Sequence, residues 1–121
     1  MATTKAVTAI WSGQTLTAGA GDTTSTAVDL STGYGAQVHI KLTNGATGPT
    51  VAAQVQVQFS SDDTEYYNYG GPLVGNTDNN GVESWSVTVP IGVEYIELVA
   101  GSNTGQDVTV DADISNVTAV S

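Results

Sequence analysis

The sequence predicts an all-β chain folded as a single antiparallel β-sandwich, on three observations. Apolar and polar residues alternate over several short runs. The clearest is Thr50–Phe59, where Val51, Ala53, Val55, Val57 and Phe59 share one parity and Gln54, Gln56 and Gln58 the other. A period of two is the pattern of a strand with one buried face. Second, Gly, Asn, Asp and Ser cluster between these runs as turn signals. Third, no stretch carries the apolar period of a helix. With 121 residues there is room for one core, and each sheet has only another sheet against which to bury its apolar face. Seven to nine short strands are expected, joined in an Ig-like or jelly-roll-like manner.

The elements follow in order. Residues 1–25 are dominated by Ala, Thr, Ser and Gly and read as a flexible N-terminal arm. The arm carries a first strand, Ala6–Trp11, with Val7, Ala9 and Trp11 on one face, followed by a loop at Gly13, Gly19, Gly21 and Asp22. The sandwich is expected over 26–121. Thr26–Leu30 is a short strand with Val28 and Leu30 inward, and Ser31–Gly35 a turn. Ala36–Thr43 sets Val38, Ile40 and Leu42 against Gln37, His39 and Lys41. The short link from Asn44 to Thr50 makes Ala36–Thr43 and Thr50–Phe59 expected antiparallel neighbours. Ser60–Glu65 is a polar turn, Tyr66–Tyr69 a short strand, and Gly70–Gly81 the longest loop. Val82–Val89 turns Trp85, Val87 and Val89 inward, Val93–Ala100 turns in Ile96 and Leu98, and Asp107–Ile114 turns in Val108, Val110, Ala112 and Ile114. Beyond Ser115, Val117 and Val120 cannot share a face without a bulge.

Charge bounds the function. Only 12% of residues are charged, yet the formal net charge is −10, and Lys5 and Lys41 are the only cations besides His39. Nucleic-acid binding requires Lys or Arg to neutralise phosphates, so nucleic-acid partners are excluded, as are anionic membrane surfaces. There is no cysteine, no apolar run long enough for a secretory leader or a membrane span, and no cofactor motif. Synthesis in a cytoplasm without export is the expectation.

Candidate chemistry is sparse. His39 lies on the polar parity of its strand with no nucleophile or orienting partner identifiable nearby in sequence. Asp62, Asp63 and Glu65 share a turn, and Asp111 and Asp113 share a strand face about 7 Å apart, where a cation or a neighbouring chain would relieve their repulsion. Asn76–Gly81 resembles the start of a calcium loop, but the twelfth position is Val87, where a bidentate Glu is needed. Asn80-Gly81 reads better as a tight turn. Exposed Tyr67 and Tyr69 would stack on sugars, although alternation sends Tyr66 and Tyr67 to opposite faces. Asn116-Val117-Thr118 matches a glycosylation sequon. No convergent catalytic set is legible, so the chain is not expected to be an enzyme.

One run goes beyond generic β. Ser60-Ser61-Asp62-Asp63-Thr64-Glu65-Tyr66, after Val55-Gln56-Val57-Gln58-Phe59-Ser60, resembles the S-x-D-G-x-x-W/Y hairpin of small β-sandwich virion proteins of tailed bacteriophages. Glu94–Ala100 leading through Gly105 into Val108–Ala112 is similar to that family's closing strands. Asp63 stands where Gly is usual, and Asp still enters left-handed geometry. Ile96-Glu97 stands where an Arg is frequent. The resemblance implies a head decoration, or cement, protein on the outer capsid surface of the virion. It implies the major capsid protein as partner and a homo-oligomer, with a trimer favoured. Its docking residues are expected in the arm: Ala2, Thr3, Thr4, Lys5, Val7 and Trp11, extended by Leu16. A tail- or fibre-associated virion module and a carbohydrate-binding module are the alternatives.

Overall fold

The computed structural model describes residues 3–120, and side chains within 4–119. Ten strands and no helix are present among them: β1 Thr3–Leu16, β2 Thr23–Thr24, β3 Val28–Asp29, β4 Ala36–Asn44, β5 Gln54–Ser60, β6 Tyr67–Asn68, β7 Leu73–Val74, β8 Val82–Val89, β9 Tyr95–Gly101 and β10 Val108–Val120. They form two antiparallel sheets, one ordered β1-β10-β4-β8 and the other β2-β9-β5-β6, with β3 on β9 and β7 on β5. The predicted sandwich is the fold. The strand total exceeds expectation because β2, β3, β6 and β7 are two-residue pieces along the edges of the second sheet.

Alternation builds the core. Ala36, Val38, Ile40 and Leu42 of β4 and Val108, Val110, Ala112 and Ile114 of β10 face Val55 and Val57 of β5 and Ile96, Leu98 and Ala100 of β9. β-branched residues suit such half-buried surfaces, and each full burial contributes about 1.5–3 kcal/mol. Buried polar groups are bonded where the chain turns between sheets. Asn103 Nδ2 donates to the Leu16 and Gln106 carbonyls at 2.9 and 3.0 Å. Ser25 Oγ accepts from Leu98 N–H at 2.9 Å.

Two expectations are corrected. Ala36–Thr43 and Thr50–Phe59 are not neighbours: β4 lies between β10 and β8, while β5 lies in the opposite sheet beside β9. The connection after Asn44 crosses between sheets, and Val51 makes only an isolated bridge to Thr104. The N-terminal stretch is not an arm over its described length. Thr3–Leu16 pairs with β10 along an entire sheet edge, and Trp11 and Leu16 join the core. The bulge expected after Ser115 is present: Lys5 pairs with Val117 and Thr4 with Ala119, which leaves Thr118 as the extra residue.

Candidate interaction surfaces

Register places residues far apart in sequence on one face. The outer face of the four-stranded sheet carries the row Ala9, Asp113, His39 and Ser86, and beside it the row Asp111, Lys41 and Ser84. Between them the strands at Trp11, Ala112, Ile40 and Trp85, whose side chains lie on the core parity, floor a groove of about 610 Å³. Lys5 and Val7 continue the face along β1, opposite Val117 and Ser115. The chain's two lysines and its histidine therefore share one face, together with two of its twelve carboxylates. Asp111 is also structural: its Oδ1 accepts the Gly13 N–H at 2.7 Å and fixes the left-handed turn of the β1 bulge, where Gly13 has φ 64°.

Ser86, His39 and Asp113 occupy adjacent strands in one row, the residue types of an acyl-transfer triad. Ser86 Oγ lies 3.3 Å from His39 Nδ1. Ser86 Oγ also accepts from Gln37 Nε2 at 2.6 Å, and Gln37 Oε1 accepts from Thr88 Oγ1 at 3.0 Å. A hydrogen-bonded polar ladder thus crosses the face. The sequence could not show this row, because its members are brought together by pairing alone.

The expected docking residues separate. Ala2 lies outside the described residues, and Thr3 is described only as a strand residue paired with Val120. Thr4, Lys5 and Val7 are exposed, Val7 by 70%. Trp11 and Leu16 are core residues, 9% and 2% exposed. A side chain with no free surface cannot anchor a partner, so these two hold β1 to the sandwich instead.

The aromatics lie at the opposite sheet. Tyr67 is 66% and Tyr69 46% exposed. Tyr69 stacks on Phe59 with ring centroids 4.4 Å apart, and Tyr67 O–H donates to Glu65 at 2.8 Å. Tyr67 borders a hollow of about 250 Å³ with Phe59, Ser60, Ser61, Gly92 and Val93. Alternation does separate Tyr66, but neither neighbour enters the core: Tyr66 is half-buried and its O–H donates to Asp63. Burial, then that hydrogen bond, pushes the Tyr66 phenol up. Burial, then the charge of Asp63, raises Glu97. The hydrogen bond to Glu65 raises Tyr67, and the charge of Asp29 raises Tyr95.

The remaining motifs are absorbed by structure. Ser60 Oγ accepts from Asp62 and Asp63 N–H, and Asp62 Oδ1 accepts from Thr64 and Glu65 N–H, while Asp63 takes φ 59°. The Glu65 and then Thr64 backbone donors hold the Asp62 carboxyl below its ordinary range. The left-handed geometry expected of Asp63 is therefore present. Asn76 Oδ1 accepts from Asn44 Nδ2 and from Asp78 N–H, so this loop turns its oxygen on the protein. Asn80, at φ 55°, makes the predicted tight turn. Asn116 is half-buried on the core parity of β10, with its Oδ1 buried and without a hydrogen-bond partner, while Thr118 is exposed. No group of three or more His, Asp or Glu able to hold a metal occurs among the described residues.

No protein-family model and no curated protein matches the sequence. The fold is similar to solved structures at low identity. One is the VP2 subviral particle of infectious bursal disease virus, with TM-score 0.61 and 8% identity, covering 94% of this chain and 32% of that one. A second is the enzymatically active domain of tailspike protein 4 of bacteriophage CBA120, with TM-score 0.59, 12% identity, and coverage of 95% and 18%. A family 16 carbohydrate-binding module matches with TM-score 0.51, 14% identity, and coverage of 82% and 72%. An adhesin domain of Lys-gingipain from Porphyromonas gingivalis shares the fold too, and the chain spans 60% of its length. This chain is a β-sandwich module resembling adhesin, carbohydrate-binding, tailspike and viral capsid domains. At these identities the likeness establishes the fold.

Proposed function

We propose that this protein is a non-enzymatic virion component of a tailed phage, a head decoration protein that docks on the outside of the capsid and stabilises it. The observation that carries the reading is the polarised surface. Lys5, Lys41 and His39 share the outer face of the four-stranded sheet, and most of the carboxylates lie elsewhere. A chain of net charge −10 docks with least repulsion through that face, leaving its acidic remainder outward and away from packaged DNA. The same face is built of Ser, Thr, Gln and Ala with few long charged side chains, which lowers the entropy lost on docking. The resemblance of the Ser60–Tyr66 turn to phage virion sandwiches supports the setting, and the viral neighbours are compatible with it.

The test is co-sedimentation with purified expanded empty heads, comparing the wild type with Lys41→Glu. Wild-type pelleting that saturates, weakened by the charge reversal, is the expected outcome. Failure of the wild type to pellet overturns the assignment. Labelling of Ser86 by a fluorophosphonate probe, abolished in His39→Ala, would overturn the non-enzymatic part of it.

Sugar binding is the second reading, favoured by the exposed Tyr67 ring beside its hollow. A glycan array decides it. Binding lost on Tyr67→Ala and Tyr69→Ala would support it, and a blank array would remove it.

A further inference from the structure

We propose that β8 is a pairing edge for a second copy of this chain, so that two four-stranded sheets join across a two-fold axis into one eight-stranded sheet. The argument begins with how the other edges are treated. A free edge presents unpaired N–H and C=O groups, and monomeric proteins blunt such edges with bulges, lysines or very short strands. β1 carries three register irregularities and Lys5. The other sheet ends in the two-residue strands β2, β3, β6 and β7. β8 has no bulge, no lysine and full length, and its one protecting charge is Glu83, near its start on the core parity. Its eight residues pair with β4 in unbroken register from Val82↔Thr43 to Val89↔Ala36. It contains no Pro, no Gly and no Lys, and among the described residues no backbone hydrogen bond reaches it from outside β4.

The side chains repeat the point. On the core parity Trp85 and Val87 are only half-buried, because the opposite sheet does not fully cover this edge. On the outer parity Val82, Ser84, Ser86 and Thr88 are exposed. A strand bearing an apolar row and a hydroxyl row is complementary to its own antiparallel copy, provided the pairing keeps the rows in phase. The two-fold must then pass through a residue. Centred on Trp85 it pairs Trp85 with its copy and Ser84 with the copy's Ser86. Centred on Ser86 it pairs Trp85 with the copy's Val87 and Ser84 with the copy's Thr88. In both registers Glu83, the strand's one charge, meets a valine and never itself. Aromatic and β-branched cross-strand pairs are favourable. Either register pairs residues 82–88 or 83–89 of each copy, and such a ladder adds roughly one backbone hydrogen bond per paired residue, within the range of specific interfaces.

Pairing also makes the outer faces continuous: Ser84 and Ser86 line the groove, so its copy would open into it across the axis. The inference does not depend on capsid binding and is tested without heads. A two-fold pair departs from the trimer that the phage resemblance implies.

The experiment is light scattering of the whole protein over a concentration series at physiological salt, with S84K/S86K and S84T/S86T alongside. The wild type and the threonine variant are expected at about twice 12.3 kDa. The lysine variant is expected to dissociate at least about tenfold more readily, because both registers oppose like charges. The two lysines reduce the magnitude of the net charge, which taken alone favours association, so weakening is specific to the edge. Their side chains face solvent, and an unchanged far-UV circular dichroism spectrum with a retained cooperative melting transition would show that the fold persists. A monomeric or trimeric wild type overturns the proposal, as does a lysine variant that dimerises normally.

Discussion

Trp11→Ala tests whether β1 is part of the sandwich or an arm laid against it. The Trp11 side chain is 9% exposed and belongs to the core. An indole contributes about 150–250 Å² of buried surface, which at about 25 cal/mol per Å² is about 4–6 kcal/mol. The methyl of Ala retains part of that and the cavity adds to the loss, in line with the ~3–5 kcal/mol of measured Trp→Ala core changes. We take about 4 kcal/mol. At roughly 4 °C per kcal/mol for a domain of this size, the melting temperature falls by about 15 °C. Val7→Ala, on the same strand but 70% exposed, is expected within about 0.5 kcal/mol of wild type. Urea and thermal unfolding followed by far-UV circular dichroism measure both. A Trp11→Ala protein that melts within a couple of degrees of wild type would refute the packing of β1, and the arm reading would return. By the same reasoning, removing residues 1–11 destabilises the sandwich, so that truncation cannot isolate a docking effect.

Glu97 has its folded-state value raised above the ordinary 4.5 by burial and by Asp63. The contribution of its protonated form is fully present below 4.5 and is lost as pH rises through the raised value. Glu97→Gln should therefore raise the melting temperature at neutral pH and change it little under acid conditions; an equal effect at both would contradict the assignment. Asn103 is 2% exposed and donates to two carbonyls. Asn103→Ala leaves the Leu16 carbonyl without that donor and should cost about 1–3 kcal/mol by urea unfolding, against a negligible change if the peg is dispensable.

Most of the fold was legible because alternation is strict along the long strands that carry no bulge against their neighbours. β8 begins and ends where its sequence pattern does, and the inward residues of β4, β9 and β10 follow directly from parity. Sheet membership was not legible. The link after Asn44 is short enough for a hairpin, yet it crosses the sandwich, and local sequence does not distinguish the two. β1 was hidden for a different reason. Its bulges at Ile10 and around Ser12-Gly13 shift the parity, so Trp11 and Leu16 do not read as one alternating strand. The polarised face was invisible because it is a property of register. His39, Ser86 and Asp113 are widely separated in the chain and meet only through β4 pairing with β8 and β10. The hydrogen-bonding surface, in contrast, was already stated by Gln54, Gln56 and Gln58, which face outward beside Val99 and Glu97.

The most direct test of the central claim is the copy number of this protein in purified virions, read by quantitative peptide mass spectrometry against the major capsid protein. A decoration protein is expected at a fixed, high proportion to the capsid protein and should remain with heads separated from tails. A few copies per particle, or partition with the tail fraction, would contradict capsid decoration and move the protein to the tail.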